Sequence, residues 1–173
     1  MDDLHSAPAT SLVPPPLDML AEISLAGALD PQDPREWVPV GTEIWSRPLC
    51  LNVSQGYWVH LLRAGRPGMI NRHRHSSQVH VITLKGCWRY PERDWVAGPG
   101  TYVFEPPGDT HTLVIPEGGA EMVFLSFVTG TLLYVDEAGE VIAYDDVFTR
   151  IDAARRHYAA VGLGEDYVKR LIR

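Results

Sequence analysis

Between Tyr57 and Tyr144 the chain is cut into short apolar runs by closely spaced glycines and prolines, and this punctuation constrains the fold more than any other feature. Residues 57–63 read as a buried strand that stops at Ala64-Gly65. Further strands are expected at 79–84, 87–90, 101–104, 112–115, 122–128, 132–135 and 141–144. Gly98-Pro99-Gly100, Pro106-Pro107-Gly108, Gly118-Gly119, Gly130 and Ala138-Gly139 mark the turns. No internal repeat and no strand–helix alternation is present. Many short strands with Gly/Pro turns specify an all-β sandwich or barrel.

The stretch 71–112 carries the chemistry. Asn71-Arg72-His73-Arg74-His75 opens it and His111 stands near its end. In an extended strand, residues two apart share a face, so His73 and His75 aim both imidazoles at one point. The intervening turns can fold back and bring His111 beside them. Neutral imidazole is the commonest protein metal ligand, so three convergent histidines suggest a metal site. His60 shares a strand face with Trp58 and Leu62, where it either lines a cavity or is a satisfied core or surface histidine.

The spacing sharpens this reading. Gly100, five residues, Pro106, one residue, Gly108, two residues and His111 is the second cupin motif; His73-x-His75 followed by Gly86 is the frame of the first. The chain resembles a cupin, a small double-sheet jelly-roll barrel that holds a metal in its mouth. Two positions depart from the pattern. The first-motif glutamate is absent, its place falling on Val79 or, with a longer spacer, on His80. Ile115 replaces the asparagine that often closes the second motif. That glutamate is normally the fourth ligand, so the resemblance leaves three histidines and no protein anion.

One cupin branch is closer in wording. The segments Asn71-Arg72-His73-Arg74-His75-Ser76-Ser77-Gln78-Val79-His80, Lys85-Gly86-Cys87-Trp88-Arg89-Tyr90 and Phe104-Glu105-Pro106-Pro107-Gly108-Asp109-Thr110-His111-Thr112 resemble the bacterial 2,4'-dihydroxyacetophenone dioxygenases. The resemblance implies a non-haem iron enzyme that cleaves an aryl α-hydroxyketone with O2, giving 4-hydroxybenzoate and formate. It places the Fe(2+) ligands on His73, His75 and His111. Related cupins cleave β-diketones, and others bind zinc in regulatory or sensor roles without turnover. Zinc on three histidines is equally plausible as geometry and favours hydrolytic or lyase chemistry. Three neutral imidazoles would leave a divalent ion its full charge, which favours an anionic, bidentate substrate.

Glu105 is the candidate catalytic residue. The strand before Pro106 alternates, with Tyr102 and Phe104 on one face and Val103 and Glu105 on the other. By analogy with cupins the residue before this proline points into the barrel; on general grounds an outward, solvated glutamate is commoner. An inward Glu105 would orient a metal-bound water or handle the substrate proton. Trp88 and Tyr90 share a face and either wall an aryl-binding cavity or pack the core. Arg72 and Arg74 should face away from the histidines.

Composition bounds the rest. The chain has 173 residues, 45% of them hydrophobic and 21% charged, which suits one domain with a sizeable core. A formal net charge of −7 argues against nucleic-acid or anionic-membrane partners. The start lacks the pattern of a signal peptide. Cys50 and Cys87 make no metal-type pair and no disulfide framework, so the cytoplasm is the expected compartment. The expected division is an arm and strap over 1–40, a cupin barrel over 41–148 and a helical tail over 149–173. Within the arm, residues 1–16 are rich in proline, and 17–25 form a short helix or an edge strand. The tail begins near Thr149-Arg150-Ile151-Asp152, is stopped by Gly162, and continues with a short helix over 165–172. It should pack on the barrel or on a partner subunit, the assembly being a homodimer or homotetramer. The other partners expected are a small aromatic ketone and O2.

Overall fold

The computed structural model describes residues 19–117 and 121–173. The proline-rich arm over 1–16 and the Gly118-Gly119 turn therefore lie outside the described residues. Among the described residues ten strands follow one another: β1 Val38–Gly41, β2 Ile44–Asn52, β3 Tyr57–Ala64, β4 Gly68–His75, β5 Val79–Lys85, β6 Tyr102–Glu105, β7 Thr110–Ile115, β8 Met122–Thr129, β9 Leu132–Val135 and β10 Val141–Asp145. They form two antiparallel sheets, one ordered β1-β2-β3-β8-β5-β6 and the other β10-β9-β4-β7. Strands distant in sequence thus lie side by side, as in a jelly roll.

Alternation builds the interior. On β8, Met122, Phe124, Ser126 and Val128 are buried and the residues between them are half-buried. On β7 the inward row is His111, Leu113 and Ile115. These rows meet Trp58, Leu62, Val79 and Val81 in one apolar cluster between the sheets. Functional side chains therefore occupy positions in the same periodic rows that build the core.

The structure departs from the expected elements in several places. Residues 87–90 are no strand, because pairing changes partner after one residue. Trp88 bridges Ala97 while Arg89 bridges Val114 of the other sheet. Conversely, β2 forms where the sequence carries no clear strand pattern, because Pro48 interrupts it. The proline is tolerated because it sits where the β2–β3 register shifts, and because β1 pairs with β2 no further than Ser46. Within 17–25, the described residues 19–25 form neither helix nor strand.

The tail forms α1, Val147–Ala160, followed by a 3-10 turn over Glu165–Leu171. The helix starts earlier than Thr149 because Asp146 caps it. Its carboxylate accepts from the Phe148 and Thr149 amides, and the Thr149 hydroxyl closes a capping box on the Asp146 amide. Val147, Ile151, Ala154 and Tyr158 are buried with the barrel core, and Ile172 bridges Leu51. Glu36 ties the tail down, accepting from Arg47, from the Tyr167 hydroxyl at 2.6 Å and from Arg170 at 2.6 Å. Burial works to raise its pKa, but these three donors outweigh burial and hold it below the ordinary carboxylate value. Among the described residues no helix is long and apolar enough to cross a membrane.

Gly86 closes β5 with φ +68°, and a Cβ there would lie 2.6 Å from the Glu121 carbonyl oxygen. Both the backbone region and the close approach exclude other residues. Gly86→Ala is expected to cost at least about 1–3 kcal/mol, read as a lower denaturant midpoint at unchanged slope. An unchanged midpoint would contradict the close approach.

Candidate metal centre

The two sheets place four titratable side chains at one point. His73 and His75 project from β4, and His111 on the adjacent β7 pairs directly with His73 in the strand register. Their three Nε2 atoms form a triangle with every edge 3.1 Å. The fourth group is Glu105 at the end of β6, whose Oε2 lies 2.8 Å from His75 Nε2 and 3.8 Å from His111 Nε2. All four residues are buried, and their ligand atoms lie within 4.8 Å of one another.

The surroundings prepare the nitrogens for a cation. His73 Nδ1 lies 2.7 Å from Asn71 Oδ1, and His111 Nδ1 lies 3.1 Å from the Asp109 carboxylate. An acceptor at Nδ1 keeps the proton there and leaves the Nε2 lone pair directed inward. His75 differs, since its Nδ1 is buried without a partner among the described residues. Its ring is oriented instead by Nε2 facing Glu105. Burial, followed by the neighbouring histidines, lowers the His73 pKa well below its ordinary value. His111 is also lowered, chiefly by burial. Neutral imidazoles are the form that binds metal.

The residues fit a divalent ion. Three nitrogens 3.1 Å apart subtend roughly 95° at an ion about 2.1 Å from each, nearer an octahedral face than a tetrahedron. The expectation of a site without a protein anion is corrected: a carboxylate does join the histidines. Val79 holds the place of the missing first-motif glutamate, and Val79 pairs with Glu105 across β5 and β6. The acid has moved to the facing position on the neighbouring strand. His80, the other candidate for that place, points outward, its Nδ1 2.7 Å from the Tyr102 hydroxyl.

Glu105 is itself held from behind. The Tyr90 hydroxyl donates to its Oε1, and the Tyr90 ring stacks on His111 with centroids 3.7 Å apart. Burial first, and then the Glu105 charge, push the Tyr90 pKa well up, so the phenol stays protonated as a donor. Trp88 packs in the core against Tyr90. The sequence shows Tyr90 only as sharing a face with Trp88. No signal there pairs it with Glu105. Arg72 and Arg74 form no ion pair among the described residues.

A cavity of about 60 Å³ lies inside the barrel, walled by His73, His75, Glu105 and apolar residues such as Val81 and Phe124. An outer vestibule of about 400 Å³ shares Leu62, Asn71, Tyr134 and Arg150 with it. A wider groove, about 660 Å³, runs outside along β6 and reaches Tyr90, Glu105 and Asp109. His60 does line the cavity, with Nδ1 2.7 Å from the Ser46 hydroxyl, so it is both satisfied and facing the interior.

Two outcomes are expected. His73→Ala, His75→Ala and His111→Ala should each lose the metal by elemental analysis and keep the far-ultraviolet spectrum of the folded barrel. Full metal content in all three would refute the site. Burial, then the Arg150 charge, lowers the His60 pKa well below 6.5. The folded state thus takes up fewer protons than the unfolded state, and stability is full above about pH 6.5 and falls as pH drops below it. Replacing His60 with Gln should flatten that slope in urea titrations across pH 5–7; an unchanged slope would exclude His60 as a contributor.

The comparisons agree with this architecture. A family model described as the ChrR cupin-like domain matches residues 28–131. An RmlC-like cupin protein from Ralstonia eutropha JMP134 is 30% identical, with a TM-score of 0.70 over 73% of this chain and 83% of that one. An acetylacetone dioxygenase from Acinetobacter johnsonii shares the fold at 18% identity, with a TM-score of 0.65 over 82% of this chain and 99% of that one. No curated protein sequence matches the chain. With a family match covering more than half of its length and a metal-ready barrel behind it, the chain belongs to the ChrR cupin-like domain family.

Proposed function

We propose that the protein is a non-haem iron dioxygenase that cleaves the carbon–carbon bond of an aryl α-hydroxyketone, with 2,4'-dihydroxyacetophenone giving 4-hydroxybenzoate and formate. The observation that carries this reading is the buried group of three histidines and Glu105 opening on an inner cavity with apolar wall residues such as Val81 and Phe124. The motif wording around it resembles enzymes of that activity. His73, His75 and His111 would hold the ion, which would supply Lewis acidity and a path for electrons from substrate to O2, with Glu105 beside it as the acid–base group.

The chain's own groups account for the rest. The vestibule admits the ketone past Leu62 and Asn71, and Val81 and Phe124 offer apolar surface to its carbon skeleton. Glu105 Oε2 faces the reacting end and takes the proton from the carbon beside the carbonyl. Tyr90 holds Oε1 and so fixes the direction of that oxygen. Loss of the proton leaves an electron-rich enediolate. Holding both reactants in one small cavity makes their encounter effectively intramolecular, worth up to roughly 7–11 kcal/mol of the barrier. Substrate and O2 together contain all the atoms of the two acids, so no outside reductant is required. The setting we propose is the cytoplasm, with Cys50 and Cys87 unpaired and a homodimer or homotetramer as the working form.

A second substrate class is favoured by one observation. The inner cavity of about 60 Å³ suits a compact β-diketone better than an aryl ring, which must extend into the vestibule. The acetylacetone dioxygenase named above acts on such a molecule.

The test supplies iron-loaded protein with labelled O2 and either 2,4'-dihydroxyacetophenone or acetylacetone, without reductant. One labelled atom in each acid from the aryl ketone is the expected result, and Glu105→Gln should slow turnover at least about a hundredfold. Cleavage of acetylacetone alone would select the diketone. No oxygen uptake with either substrate, while metal still binds, would place the protein with metal-binding sensors. Turnover that persists without oxygen would require hydrolytic zinc chemistry.

A further inference from the structure

The barrel cavity holds a second set of polar groups that the metal centre does not use. Arg150, in the first turn of α1, is more than nine-tenths buried at 8% exposure and lines both the cavity and the vestibule. Its Nη2 donates to Asp145 at 2.8 Å. Its Nε is buried with no partner among the described residues. Ser126, inward on β8, also lines the cavity, and its hydroxyl too is buried without a partner. His60 pairs with Ser126 across β3 and β8, and its Nδ1 is engaged by Ser46. No hydrogen bond joins Arg150, Ser126 or His60 to His73, His75, His111 or Glu105 among the described residues.

Two donors buried without acceptors in one cavity are a rare arrangement, since buried polar groups are nearly always paired. A guanidinium carries five N–H donors in a fixed fork, and Asp145 engages one of its nitrogens. What the cavity lacks for these two groups is an acceptor, and a negatively charged one matches a guanidinium best. The metal group is a weaker source of that preference, because Glu105 already brings negative charge to it.

We propose that Arg150 and Ser126 form a subsite for an anionic oxygen of the substrate, a carboxylate or phenolate carried at the end away from the reacting carbonyl. Nε–H of Arg150 and the Ser126 hydroxyl donate to that oxygen, and Asp145 holds the guanidinium in place from the other side. The subsite makes Arg150 a specificity-determining residue contributed by the tail rather than the barrel. The proposal rests on the reading of the cavity as a substrate site, and it is tested by binding without turnover.

The probes are benzoate and its neutral isostere benzamide, titrated by calorimetry into the full chain, both metal-loaded and chelator-treated. Wild type should bind benzoate roughly ten- to a hundredfold more tightly than benzamide, the span of a charge-assisted hydrogen bond. Arg150→Met should remove that difference and leave benzamide binding unchanged. Ser126→Ala should weaken benzoate by about three- to tenfold, and it keeps the test decisive if Arg150→Met does not fold. Equal affinity for the two probes, or benzoate binding unchanged in the variants that fold, would overturn the proposal. So would benzoate binding that needs the metal and His111 but not Arg150, since the carboxylate would then sit on the ion. Oxygen uptake is measured separately. A dioxygenase reading can thus fail while the anion subsite stands, and the reverse.

Discussion

Three imidazole nitrogens 3.1 Å apart, with lone pairs directed at one another, have nothing among themselves to attract. The rest of the barrel is arranged so that this convergence persists. His73 and His111 are directly opposed in the β4–β7 register, and Asn71 and Asp109 accept from their outer nitrogens. A one-residue slip between these strands would turn His111 outward and replace it with a threonine, Thr110 or Thr112. The apolar rows above and below the histidines hold that register, since the same slip would expose Leu113 and Ile115. A bound cation offsets the repulsion that the packing otherwise has to bear.

The carboxylate shows that more than one strand can bring an acid beside the histidines. Val79 and Glu105 face each other across β5 and β6, so an acid at either position reaches the same volume. Placing it on β6 has a consequence that the β5 position would not have. Glu105 comes within reach of Tyr90, whose hydroxyl fixes one carboxylate oxygen while its ring lies on His111. One residue therefore orients two members of the group, and Glu105 keeps one oxygen directed toward the histidines.

The tail takes part in the interior. Asp146 caps α1 and Glu36 anchors the residues that follow it, drawing on Arg47 from the barrel and Tyr167 and Arg170 from the tail. That anchorage sets the first turn of α1 against the barrel mouth and carries Arg150 into it. Asp145, the last residue of β10, receives both the Arg150 guanidinium and the Tyr134 hydroxyl. The vestibule wall is therefore built from the end of the barrel and the start of the tail together.

The sequence by itself determined the all-β class, most of the strands after Tyr57, and the three histidines. Period-two alternation, Gly/Pro turns and a fixed motif spacing are local properties that survive in one dimension. Gly86 and Gly108 stand at the positive-φ positions that such turns require. Only the tertiary structure decided that Glu105 points inward, because a single residue before a proline reads equally well on either face. It alone showed that 87–90 bridges two sheets instead of forming a strand, and that β2 runs through Pro48. It also brought Tyr90 to Glu105 and Arg150 to the cavity, over separations of 15 residues and the length of the barrel. These are contacts between elements far apart in the chain, and no local periodicity encodes which long-range neighbours two folded sheets and a docked helix bring together.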